Sequence, residues 1–172
     1  LTQAIKNVDI VLISDYNKGL LTPITTQIII DICNKFGKTV IADPKGTDYS
    51  KYKDATLVKP NLKEFSEATG MKFDPLSPNF HNDVKEGAQI LFSKYNIKNL
   101  LVTLSEHGMV YIPAENIDDL KQIPTEAKEV FDVSNENFLR GKELLGKMNF
   151  PPVILISCNP QKNLIIEGGG LG

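Results

Sequence analysis

Tryptophan is absent from this 172-residue sequence, and cysteine and histidine occur only twice each. Cys33 and Cys158 stand too far apart for a disulfide-stapled scaffold or a cysteine-based zinc site. An excess of charge of one sign is missing as well: 19 Lys and Arg face 21 Asp and Glu, a formal net of -2. Without a basic surplus there is no electrostatic footprint for nucleic acid or for an anionic membrane surface. No apolar run approaches the roughly 20 residues of a membrane-spanning helix. What is present, 41% hydrophobic and 23% charged residues, suits one soluble globular domain of ordinary size with a real core. Its expected location is the cytoplasm. The chain opens on Leu1 with no secretory leader, and residues 1–7 (LTQAIKN) read as the end of a helix running into a strand. A piece of a longer protein is therefore expected.

The apolar pattern sets the fold class. Residues 8–14 (VDIVLIS) form a nearly continuous β-branched and aliphatic run, the signature of a strand buried on both faces. Pro23 opens a helical segment that ends near Phe36, where Gly37 supplies a stop. A second strand is expected over 38–42, a short third over 55–58, and a helix from Asn61 to Thr69. Val84, Ala88, Leu91 and Phe92 mark a helix over 82–95, and strands follow over 99–104 and 109–112. Strands alternating with helices in this way predict βαβ units. The fold class is α/β: a three-layer, Rossmann-like, mostly parallel sheet. Periodicity fades over 113–131, returns as a helix over 135–148, and gives one more strand over 152–157; the glycine-rich end reads as a flexible tail.

In an open parallel sheet, ligands bind beyond the carboxyl ends of the strands. Four polar stretches qualify: 14–19 (SDYNKG), 43–48 (DPKGTD), 59–64 (KPNLKE) and 103–108 (TLSEHG). The first offers Asp15 and Lys18, or is simply a solvated turn. The second places Lys45 on a turn shaped by Pro44 and Gly46, where a lysine can meet phosphate as a point charge. In the third, Asn61 and Glu64 read as a capping box or as a carboxylate beside free helix N–H groups that organises Mg²⁺ near an anion. The fourth, Thr103 to Gly108, is a compact turn whose hydroxyls and backbone suit a nucleotide. His107 reads as a surface turn residue, with no nearby nucleophile or second histidine, and His81 reads as loop. Gly141 to Met148 matches a phosphate-binding P-loop until Met148, which lacks the hydroxyl for Mg²⁺. No strand leads into it, so it reads as a helix with Phe138, Leu144, Leu145 and Met148 turned inward.

Together the stretches SDYNKGLLTP, VIADPKGTDYSKYKDATLVKPNLKEF, NLLVTLSEHGMVYI and IPTEAKEVFDVS resemble the heptose 7-phosphate kinase half of the bacterial ADP-heptose synthases, within the ribokinase-like (PfkB) sugar kinases. The likeness runs over residues 1–134, so the expected organisation is the central part of a ribokinase-like domain followed by a divergent segment over 135–172. The resemblance implies ATP-dependent phosphorylation of D-glycero-D-manno-heptose 7-phosphate at the anomeric hydroxyl, for the lipopolysaccharide core. Asn61 and Glu64 match the family's N-x-x-E motif, which is associated with Mg²⁺ and the ATP phosphates. It thus implies ATP contacts at Asn61, Leu62, Lys63, Glu64, Thr103, Ser105 and Gly108, with Glu64 on the metal side. Asp15, Lys18 and Lys45 are implied contacts for the phosphosugar.

The sequence departs from the family after Ser134. Gly-Ala-Gly-Asp, whose N–H groups form the anion hole and whose Asp is the base, is replaced by Asn135-Glu136-Asn137-Phe138. The family's N-terminal lid and the nucleotidyltransferase half's His-x-x-His type motif are missing too. The expectation is a truncated portion without activity of its own, or alternatively a noncatalytic nucleotide-binding, phosphosugar-binding or structural module. An incomplete sheet without its lid exposes apolar edges, which leaves a homodimer open.

Overall fold

A computed structural model describes residues 1–124 and the backbone of 153–157. Four helices and seven strands follow in chain order: α1 (Thr2–Lys6), β1 (Ile10–Ser14), α2 (Pro23–Lys35), β2 (Thr39–Asp43), β3 (Leu57–Val58), α3 (Leu62–Thr69), α4 (Phe80–Tyr95), β4 (Asn99–Thr103), β5 (Met109–Pro113), β6 (Lys121–Ile123) and β7 (Val153–Ser157). The helix boundaries have local chemical causes. Thr22 caps α2 by accepting the Thr25 N–H, and Pro23 takes the first helical position, where no N–H is needed. Gly70 ends α3 and Asn96 ends α4, both in the left-handed conformation.

The strands form one sheet in the order β6-β5-β4-β3-β2-β1-β7. β7, β1, β2, β3 and β4 run parallel, while β5 and β6 are added antiparallel at one edge. Each connection from β1 to β4 steps to the neighbouring strand in the same direction. Right-handed crossovers that all step one way deliver α2, α3 and α4 to a single face. Burial follows that geometry. Val11, Ile13, Val40, Ala42, Val58, Leu100, Val102, Val110 and Ile112 are fully buried and share one core with Ile30, Cys33, Phe65, Val84, Ala88 and Leu91 of the helices. The alternate positions Leu12, Ile41, Leu57 and Leu101 are only half-buried. The sequence suggested strands buried on both faces; among the described residues one helix layer covers one face, and the other face is apolar but only partly covered.

Three local readings shift. β6 was not anticipated, because KQI carries no apolar alternation and all three residues are exposed; pairing with β5 makes it a strand. His81 lies in the first turn of α4 rather than in a loop, with Nε2 2.7 Å from Gln122 Oε1 of β6. β3 shrinks to two residues, continued by an isolated parallel bridge between Asn61 and Thr103. The expected strand over 152–157 appears as β7. The helix expected over 135–148, the P-loop-like stretch at Gly141 to Met148, the domain boundary after Ser134 and the glycine-rich tail lie outside the described residues.

Candidate functional site

Because β1 to β4 are parallel, the four polar stretches selected from the sequence all leave the sheet at one edge. The β3–β4 pair brings two of them together. Thr103 N–H donates to the Pro60 carbonyl at 3.0 Å, which sets the turn after β4 beside the first turn of α3. Between them lies an open groove of about 570 Å³, lined by Asn61, Leu62, Lys63, Ser66, Glu67, Phe73 and Ser105. Four of the seven residues expected at an ATP site thus line one groove, and Thr103 is bridged to Asn61 beneath it.

Asn61 and Glu64 form a complete capping box. Asn61 Oδ1 accepts the Glu64 N–H at 2.8 Å, and Glu64 Oε2 accepts the Asn61 N–H at 3.1 Å. This does not use up Glu64, whose other oxygen, Oε1, accepts from Lys45 Nζ at 3.0 Å. Glu64 is therefore both a cap and the carboxylate partner of a lysine from the neighbouring strand end. Hydrogen bonding to Glu64, reinforced by its charge, pushes the Lys45 ammonium above its ordinary pKa, so it stays cationic. A second cross-strand pair, Asp43 to Lys59 at 3.0 Å, lies on the same edge.

The turn after β4 has its own constraints. Ser105 to His107 form a 3-10 turn, and Leu104 N–H donates to the Gly108 carbonyl at 2.8 Å. Gly108 has φ +85°, and a Cβ there would stand 2.0 Å from the Ile123 carbonyl oxygen. Only glycine fits, because the chain must turn sharply against β6. Gly108 is thus buried under the turn, where it shapes the groove wall rather than lining the groove.

Asp15 and Lys18, though only three positions apart, are separated by their surroundings. The Asp15 side chain is 0% exposed and ion-paired with Lys51, itself 10% exposed. Tyr52 O–H donates to Asp15 Oδ2 at 2.6 Å, and Asn17 N–H donates to Oδ1 at 2.6 Å. Burial works to raise the Asp15 pKa, but the hydrogen bonds from Lys51, Tyr52 and Asn17, with the Lys51 charge, hold it below the ordinary 3.8. The Asp15 carboxylate is thus engaged inside the fold by Lys51, Tyr52 and the Asn17 N–H. Lys18 is exposed on the loop, and neither it nor Lys45 lines the groove.

Sequence reasoning missed Lys51 and Tyr52, which meet Asp15 across 37 residues (Tyr52) without any local motif, and Ser66, Glu67 and Phe73 on the groove wall. The helical spacing of Asn61, Leu62, Ser66 and Glu67 was the one available signal for the last group. Among the described residues no three His, Cys, Asp or Glu side chains cluster as a ready-made metal site. Also among them, no helix is long and apolar enough to cross a membrane.

A mostly parallel sheet with helices packed on it and a polar groove at its carboxyl edge defines an α/β fold of the ribokinase kind. An Arabidopsis thaliana ribokinase, solved with ribose and ATP, superposes with a TM-score of 0.61 at 20% identity, covering 79% of this chain and 41% of that one. Escherichia coli phosphofructokinase-2, solved with substrates and products, gives 0.55 at 24% identity over 84% of this chain and 47% of its own. Residues 1–134 match the family model described as pfkB family carbohydrate kinase, and the chain belongs to that family. Its curated relatives include the bifunctional protein HldE of Campylobacter fetus subsp. fetus (strain 82-40), 48% identical over 126 residues, which are 73% of this chain and 26% of the relative. HldE of Helicobacter pylori (strain J99 / ATCC 700824) is 42% identical over 134 residues, 78% of this chain and 27% of the relative. The chain spans about a quarter of the length of these relatives.

Proposed function

We propose that this chain is the central portion of an ATP-dependent sugar kinase domain whose substrate is D-glycero-D-manno-heptose 7-phosphate, phosphorylated at its anomeric hydroxyl on the way to ADP-heptose. The observation that carries the reading is the groove at the carboxyl edge of the sheet. There the α3 N-terminus, Asn61, Leu62, Lys63 and Ser105 converge beside the Lys45–Glu64 pair. The nucleotide phosphates lie against the first turn of α3, where helix N–H groups favour negative charge. Both Glu64 oxygens already accept hydrogen bonds, so a Mg²⁺ that keeps most of its waters fits this carboxylate better than a fully stripped ion. Bound Mg²⁺ would offset charge on the transferring phosphoryl group. Lys18 and Lys45 are the cations offered to the phosphosugar.

Transfer breaks the bond from the γ-phosphorus to the bridging oxygen of ADP and forms one to the anomeric oxygen, whose proton must go to a base. The sequence has Asn135-Glu136-Asn137-Phe138 where the family carries its anion-hole glycines and Asp. For this chain alone we therefore propose binding without turnover. The same substitution favours a second reading, a noncatalytic nucleotide- or phosphosugar-binding module. Titration calorimetry with a nonhydrolysable ATP analogue and Mg²⁺, with and without the heptose phosphate, tests both. The expected outcome is saturable nucleotide binding weakened about tenfold or more by Glu64→Ala. Absence of heat from a folded sample overturns the nucleotide site.

A further inference from the structure

Asp15 is tied to the groove by a path that does not involve contact with a ligand. Its backbone N–H donates to the Asp43 carbonyl at 3.1 Å, which extends the β1–β2 pairing one residue past the strands. Its carboxylate accepts the Tyr52 hydroxyl at 2.6 Å, and the same phenol oxygen accepts the Lys45 N–H at 3.2 Å. Tyr52 is fully buried, and Lys51 pairs with the same carboxylate oxygen, Oδ2, its ammonium lying over the Tyr52 ring. Lys45 sits between the buried Pro44 and Gly46, whose φ of +88° turns the chain. Its backbone is thus held at one point, the Tyr52 oxygen, while its side chain reaches Glu64.

We infer that Asp15 is a positioning residue: through Tyr52 it fixes the backbone of Lys45 and thereby aims the Lys45 ammonium at Glu64, beside the groove. The functional meaning of this aim rests on the reading of that groove as the nucleotide site; the mechanical link does not. By donating its proton to Asp15, the Tyr52 hydroxyl is held with a lone pair toward the Lys45 N–H. An acceptor at position 15 therefore orients the phenol, and Lys51 keeps that acceptor ionised within the fold.

The test reads the Lys45 amine directly, without nucleotide. Lysine acylation by a small anhydride is followed residue by residue by mass spectrometry, for the wild-type chain, Tyr52→Phe, Asp15→Asn and Glu64→Gln. Lys59, paired with Asp43 on the same edge, serves as the internal reference. Glu64→Gln removes the charge of the partner and is expected to raise the Lys45 rate several-fold. Tyr52→Phe is expected to raise it to a similar extent while the Lys59 rate stays at the wild-type value, and Asp15→Asn, whose amide oxygen still accepts from Tyr52, is expected to raise it less. An unchanged Lys45 rate in Tyr52→Phe overturns the inference. So does a rise at both lysines, because that is general loosening of the edge rather than positioning. Tyr52→Phe deletes a single oxygen and keeps the buried ring, so it retains the packing that Asp15→Asn puts at risk. Adding the ATP analogue and Mg²⁺ in a separate arm separates the two ideas: wild-type protein that binds no nucleotide removes the proposed site, while the acylation pattern still decides the positioning.

Discussion

Asp15 shows how one side chain can set the pH response of this fold. Its folded pKa lies below 3.8, against the pull of burial, because Lys51, Tyr52 and the Asn17 N–H all favour the ionised form. A carboxylate with a lowered folded pKa contributes stability that is fully present above its unfolded value and is lost as pH falls through the folded one. Urea unfolding of the wild-type chain should therefore show a constant contribution from pH 7 down to about 4, then a loss below that. Asp15→Asn leaves Lys51 with no ionised partner in a nearly closed site, so a cost of about 3 kcal/mol at pH 7 is expected. The gap between the two proteins should narrow below about pH 4, where the wild-type carboxylate takes up its proton. A gap that stays constant down to pH 2 would mean the ion pair contributes nothing. None of this was visible in the sequence: SDYNKG showed a carboxylate at a strand end, but the partners that turn it inward come from residues 51 and 52.

At the scale of elements, the two consecutive helices α3 and α4 are locked by aromatic rings and a glycine. Phe65 of α3 stacks on Phe73 with centroids 4.7 Å apart, and both rings press on α4 at Gly87. A Cβ at position 87 would lie 2.7 Å from Phe73 Cζ and 2.9 Å from Phe65 Cζ. Helix propensity alone predicts that Gly87→Ala stabilises α4 by about 1 kcal/mol. Overpacking opposes this, since Phe65 is fully buried and has little room to move, and costs of about 1–3 kcal/mol are usual. The expected net effect is a loss of about 1 kcal/mol, read as a lower urea midpoint at constant slope. Gly87→Ala combined with Phe73→Leu, which trims the nearer ring, should recover part of that loss. A single variant more stable than wild type would show that the rings give way. The capping box of α3 was legible because both partners lie three residues apart in sequence. The Gly87 contact was not, because nothing local distinguishes a glycine tolerated in a helix from one required by a neighbouring helix.

Across the whole molecule, legibility followed the range of the interactions. The strand-end rule brought four stretches to one edge because apolar runs and their direction are local properties, and the groove formed where two of those stretches meet. The Lys45–Glu64 pair spans 19 residues and depends on β2 and β3 being neighbours, which no sequence spacing encodes. The one-sided helix layer likewise follows from strand order and not from composition. That layer makes a further prediction. Cys33, on the inner side of α2, is fully buried in the common core, and burial pushes its thiol up to about 11. In a Cys158→Ser background it is the sole thiol, and at pH 8 only about one molecule in a thousand would carry the reactive thiolate even with access to reagent. Alkylation should thus require opening of the α2–sheet interface. Because α2 shares its core with α4 and five strands, that opening should be global, so the labelling rate should rise with urea along the same slope as equilibrium unfolding. A rate that ignores low urea would instead mean that α2 lifts from β1 and β2 by itself, and that the β1–α2 loop carrying Asp15 and Lys18 opens with it.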